Sequence, residues 1–173
     1  MLEVEEKIIE ILSKNLEELE HAQKTLKWLL RIKPDASPEL RIAALGHDID
    51  RVVEPWKVID YNLEKEFRMK HAKRSADFII GFNLQDLDKD KLYNLILNHE
   101  FGGGEADWLR DADSLSNFEW YDMMFEKLKA EDSESGIVKM FERMSRENRR
   151  FIDEIKFTNK EAEEIVKSLV KND

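Results

Sequence analysis

Apolar residues recur every three or four positions along nearly the whole chain, and no stretch alternates apolar with polar residues for long. Such spacing lines one face of a helix and leaves no half-buried strand, so the chain is expected to fold as packed helices. Punctuation is sparse, with six glycines and three prolines in 173 residues. Hydrophobic residues make up 42% and charged residues 38%, a balance that suits a packed core rather than disorder. With no repeat and no linker-like segment, a single helical domain over residues 1–173 is the expectation.

Individual helices can be placed from their stripes and caps. Ile8, Leu12, Leu16, Leu19, Leu26 and Leu29 form one stripe, and Asn15 with Glu18 reads as a capping box that divides it into two helices. Ser37 before Pro38 starts a helix that ends before Pro55. Phe67, His71, Ser75, Phe78 and Phe82 mark a third face; Leu92, Leu95, Ile96 and His99 mark a fourth, capped by Asp88 and broken by Gly102, Gly103 and Gly104. A short helix over 111–115, a longer one through Phe125 and Leu128, a turn at 133–136 and a helix over 137–155 should follow. Thr158 with Glu161 reads as the last capping box.

Composition narrows the function classes. A net charge of −10 argues against nucleic acid as the main partner, because a phosphate-backbone surface needs an excess of Lys and Arg. With no cysteine there is no disulfide, thiol nucleophile or thiolate metal site. No apolar run is long enough for a bilayer and residues 1–14 are too acidic for a signal peptide, so a soluble cytoplasmic protein is expected.

The four histidines fall where core residues should be. His71 lies on the stripe of Phe67 and Ser75, and His99 follows Leu92, Leu95 and Ile96. His47 and Asp48 interrupt a run of small and apolar residues, Ile42-Ala43-Ala44-Leu45-Gly46. His21 reads as exposed on periodicity alone. Burying a carboxylate beside imidazoles is costly unless a cation compensates. Each histidine alone is more often a hydrogen-bonded core residue than a ligand, and neighbouring side chains diverge by ~100° around a helix, so the His47-Asp48 pair is a weak signal by itself. All four together, each on its own expected helix, can converge in a bundle interior.

The order His, His-Asp, His, His, Asp resembles the HD-domain superfamily of metal-dependent phosphohydrolases. Glu20-His21-Ala22 resembles that family's first histidine, and Leu45-Gly46-His47-Asp48-Ile49-Asp50-Arg51 its signature helix. His71 and His99 resemble the two additional histidines of many members, and Asp111-Ala112-Asp113-Ser114-Leu115 the closing segment. The resemblance spans about residues 15–120, leaving 121–173 as a C-terminal helical extension. It implies an orthogonal helical bundle of the HD type. It also implies metal ligation by His21, His47, Asp48 and Asp113, with Asp111 the competing choice for the last ligand, while His71 and His99 either complete a second metal site bridged by Asp48 or stay metal-free and bind the phosphate.

What the resemblance further implies is hydrolysis of a small phosphorylated substrate, such as a nucleotide, by a metal-activated water. Nitrogen and oxygen donors without sulfur favour one or two Mn, Fe, Co or Ni ions. Asp48 would orient the water, and Arg51, Lys73 and Arg74 would bind phosphate, each having a solvated helix face as its plainer reading. Gly102, Gly103 and Gly104 could offer backbone N–H groups or simply connect two helices. Trp108, Trp120 and Tyr121 could stack on a base or pack in the core, and Met123, Met124, Met140 and Met144 read as core filling. A di-iron oxygenase of the same fold and a non-catalytic nucleotide-binding module are the competing functions. Residues 139–169 offer a surface for a homodimer.

Overall fold

The computed structural model describes residues 3–54, 64–128 and 130–173. Among the described residues the chain is all-helical, with no strand. α1 spans Glu3–Leu12, α2 Leu16–Ile32, α3 Pro38–Gly46 and α4 Asp50–Val53. α5 spans Glu64–Ile79, α6 Lys89–Leu97, α7 Ala106–Met124 and α8 Ala130–Arg143. A 3₁₀ segment, Arg146–Glu154, leads to α9, Lys160–Lys171. None of the helices among the described residues is long and apolar enough to cross a membrane.

α3 is the hub. Leu40 and the whole run from Ile42 through Gly46 are buried, and α1, α2, α5, α6 and α7 all pack against this one helix. Each fully buried Leu or Ile here contributes roughly 1.5–3 kcal/mol of transfer free energy. Ser37 starts the helix as expected, its Oγ accepting from Leu40 N with Pro38 in the first turn. Asn15 caps α2 by accepting from Glu17 N, and Asp88 caps α6 by accepting from Lys91 N. The single helix expected from Ser37 to before Pro55 is instead two, α3 and α4, because the chain tightens into a turn at 47–49; Pro55 itself lies outside the described residues. α7 lies along α2, tied to it by Trp28 Nε1 donating to Glu119 (3.0 Å) and Trp120 Nε1 donating to Glu17 (2.9 Å).

Four more expectations need correction, each for a physical reason. α7 is one helix from 106 to 124, because Ser114 and Asn117 turn their side chains back onto the carbonyls of Arg110 (2.8 Å) and Asp113 (2.9 Å) instead of breaking it. Residues 133–136 are helical inside α8, since Gly136 serves a close helix crossing against the ring of Tyr121 and not a turn. The expected helix over 137–155 stops at Arg143, where buried Asp111 draws in Ser145 N (3.1 Å) and Asn148 Nδ2 (2.7 Å). Thr158 is not a cap: its N–H and hydroxyl donate to Asp122, and Asn159 caps α9 instead. Two stripe residues also differ, Leu16 and Met123 being exposed rather than core.

Candidate metal centre

The six residues singled out in the sequence meet around α3. His21 comes from α2, His71 from α5 and Asp113 from α7, while His47 and Asp48 occupy the turn between α3 and α4 and His99 the turn after α6. The chain tightens at residues 47–49, where Ile49 N donates to Gly46 O and Arg51 N to Asp48 O, both three residues back. Adjacent His47 and Asp48 thereby serve one cluster, with His47 Nε2 3.6 Å from Asp48 Oδ1. All but His21 are buried, and the His21 side chain is only 11% exposed.

The rings share one polarity, Nδ1 turned outward and Nε2 inward. His47 Nδ1 donates to Ala44 O (3.1 Å), His99 Nδ1 to Ile96 O (2.7 Å) and His71 Nδ1 to Asp50 Oδ1 (2.6 Å). The Ser116 hydroxyl donates to His21 O (3.3 Å) and so accepts from His21 Nδ1 (3.1 Å). With every Nδ1 engaged, all four Nε2 atoms point into the cluster. His21 Nε2 lies 3.3 Å from His47 Nε2 and 3.1 Å from Asp113 Oδ1. Asp48 is shared: Oδ2 is 3.6 Å from His21 Nε2, and Oδ1 is 2.7 Å from His71 Nε2 and 3.6 Å from His99 Nε2.

This donor set fits a cation. Imidazole lone pairs and carboxylate oxygens are all acceptors, and bonds of ~2.0–2.2 Å to a common ion put neighbouring donors roughly 3–4 Å apart, the spacing seen here. Two overlapping groups could hold an ion, His21 with His47 and Asp48, and Asp48 with His71 and His99. Nδ1 hydrogen bonds to carbonyls and a carboxylate are what orients metal-ligating histidines.

Electrostatics point the same way. Burial pushes Asp48 up, yet Arg51, His47 and His71 outweigh it and hold the carboxyl well below its ordinary range. Asp113 is likewise pushed up by burial and brought well below its ordinary value by Arg143, His21 and His47. Burial lowers His71, but Asp48 and Asp50 carry it to about 10, so a proton stands in for a cation there. His99, driven down by burial against the opposing charge of Glu100, falls to about 4 and stays a neutral donor.

The phosphate-binding expectations divide. Arg51 reaches Asp48 Oδ2 at 2.9 Å and lines a cleft of about 340 Å³ over the cluster. Lys73 does not: it is two residues from His71, on the opposite side of α5, exposed and paired with Asp77. Arg74 stands behind the cluster, paired with Glu54 and 3.9 Å from Asp50. Asp113 faces the histidines, whereas Asp111 is consumed by Arg110, Ser145 and Asn148. Gly103 N donates to Asp107 at the start of α7, so the glycine triplet, at φ 75, 117 and 59°, is a connection. Trp120 and Tyr121 line the cleft; Trp108 packs against the core.

Several contributors escaped the sequence reading. Asp50 and Ser75 back His71, with Ser75 Oγ donating to Asp50 at 3.0 Å. Arg68 and Arg143 line the cleft beside Glu100, and Arg143 Nη2 is 2.9 Å from Asp113 Oδ2. Ser75 had a signal, being one turn from His71 on the same stripe; Arg143, thirty residues from Asp113, had none. A broader groove of about 980 Å³ beside Trp28 and Arg31 touches none of the six.

A family model described as a domain of unknown function, DUF4202, matches residues 3–166. The chain belongs to the DUF4202 family. No curated protein and no solved structure matches it. The DUF4202 match takes in every residue of the cluster and the cleft, Arg143 of α8 included.

Proposed function

We propose that this DUF4202 protein is a metal-dependent phosphohydrolase of the HD-domain type, acting on a nucleotide or another small phosphoester. The observation that carries the reading is the convergence of four Nε2 atoms on a shared Asp48, every ring held from behind through Nδ1. His21, His47, Asp48 and Asp113 would hold one ion, and Asp48, His71 and His99 a second. A divalent cation such as Mn, Fe, Co or Ni would supply Lewis acidity there, polarising a phosphoryl oxygen and bringing the pKa of a water towards ~7.

The chain's own groups do the remaining work. Asp48 stays ionised at neutral pH and can accept a hydrogen bond from the attacking water, fixing its direction. Arg51 and Arg143 pair with Asp48 and Asp113 from the cleft side, where their remaining N–H groups can bind phosphate oxygens. Phe67, Trp120 and Tyr121 give the same cleft an apolar wall for the rest of the substrate.

The test is metal content by mass spectrometry on protein purified without chelator, with Asp48→Ala alongside. It is followed by phosphate release from nucleoside monophosphates and p-nitrophenyl phosphate with Mn²⁺. Metal and turnover in the wild type, both lost in a folded Asp48→Ala variant, support the proposal. Because a carboxylate shared by two imidazole pairs also suits a di-iron oxygenase, two irons per chain with oxygen-dependent colour and no Mn²⁺ activity would shift the assignment there. Metal without turnover on any phosphoester would leave a binding module, and no metal even after reconstitution would overturn the reading.

A further inference from the structure

Glu100 follows His99 directly and lines the cleft, yet the six-residue set gives it no task. Its side chain is 10% exposed, and Oε2, buried, makes no hydrogen bond among the described residues. Burying a carboxylate oxygen in that condition is costly unless something else meets its charge. The nearest cations stand back: Arg143 Nη1 is 3.5 Å and Arg68 Nη1 3.6 Å from Oε2. A carboxylate kept only for an ion pair would close further, as Asp113 does on Arg143 at 2.9 Å. The other oxygen, Oε1, faces inward, 3.7 Å from His99 Nε2. That separation matches the 3.6 Å between His99 Nε2 and Asp48 Oδ1.

We infer that Glu100 is a ligand of a second cation, forming a four-donor site with Asp48, His71 and His99. The inference rests on the metal-centre reading and extends it. The cluster is then balanced about Asp48: two imidazoles and Asp113 on one side, two imidazoles and Glu100 on the other. Arg68 and Arg143 stand at the far oxygen, which leaves Oε1 turned towards the imidazoles. Two dications against Asp48, Asp113 and Glu100 leave one positive charge, which suits an anion arriving through the cleft.

The experiment is calorimetric titration of the chelator-stripped full chain with Mn²⁺, for wild type, Glu100→Gln and Glu100→Asp, each checked for folding by circular dichroism. The wild type should take up two ions. Glu100→Gln should leave the tighter ion unchanged and weaken the second by about 100-fold, at or beyond the ~10–100-fold loss for removing a group that merely orients a ligand. Glu100→Asp, which keeps the charge on a shorter arm, should weaken the second ion less than Glu100→Gln, and it serves as the test if Glu100→Gln does not fold. An unchanged second ion in the variants overturns the assignment, as does equal weakening of both, which would mark a field effect. A wild type that binds only one ion also overturns it while leaving a mononuclear centre intact. No binding at all removes the metal centre itself, a different failure.

Discussion

His71 offers both ring nitrogens to carboxylates from one short stretch of chain, Nδ1 to Asp50 at 2.6 Å and Nε2 to Asp48 at 2.7 Å. Asp48 faces the other histidines, whereas Asp50 faces away from them and is held by the Ser75 hydroxyl at 3.0 Å. The ring is therefore clamped between a carboxylate that faces the cluster and one that only positions it.

Asp50→Ala should cost about 3 kcal/mol of stability, because His71 Nδ1 loses its partner in a buried site. It should also weaken cation binding by ~10–100-fold, since the ring is no longer oriented. Denaturant unfolding and Mn²⁺ titration check the two effects separately. A variant with wild-type affinity would show that Asp48 alone fixes the ring.

Without a bound cation, the protein should lose stability as pH rises. In the metal-free protein His71 is raised from 6.5 to about 10, Asp48 and Asp50 overcoming the burial that would lower it. A raised base stabilises the fold fully below its unfolded pKa near 6.5 and loses that contribution as pH climbs through about 10. Thermal melts of chelated protein should therefore weaken steadily between these values. The loaded protein should be flatter there, because a bound ion already requires the neutral ring. A flat profile without metal would mean that the Asp48–His71–Asp50 chain of hydrogen bonds does not form.

Gly136→Ala should destabilise by about 1–3 kcal/mol even though alanine is the better helix former. A methyl group there would overlap the ring of Tyr121 where α7 and α8 cross. Tyr121 also lines the cleft, so forcing it aside should alter substrate KM more than cation affinity. Chemical denaturation, Mn²⁺ titration and phosphoester turnover kinetics decide it; a stabilised variant would mean that the helices are further apart.

The helices and the central histidines were legible because apolar spacing and caps are local signals, and Asn15, Ser37 and Asp88 cap as their chemistry dictates. His21 was not legible by periodicity, since what turns its ring inward is Ser116, ninety-five residues away. Glycine and serine misled in α7 and α8 for a related reason. Gly136 answers to Tyr121, and Ser114 to a carbonyl one turn back, and neither partner is visible in a window of neighbours. Asp111 and Asp113 lie two apart on one helix, and only the packing of α8 and the 3₁₀ segment decides which is spent on Ser145 and Asn148. Lys73 and Arg74 lay next to His71 in sequence, but helical rotation carries one to solvent and the other behind the cluster.

The cluster draws on α2, the α3–α4 turn, α5, the turn after α6 and α7, stretches that lie far apart along an unfolded chain. Ions held among them would act as reversible cross-links, closing several loops at once in a protein that has no cysteine to close any. Folding and cation supply would then be one equilibrium, and loosening any one of those five stretches would be felt first as a release of an ion.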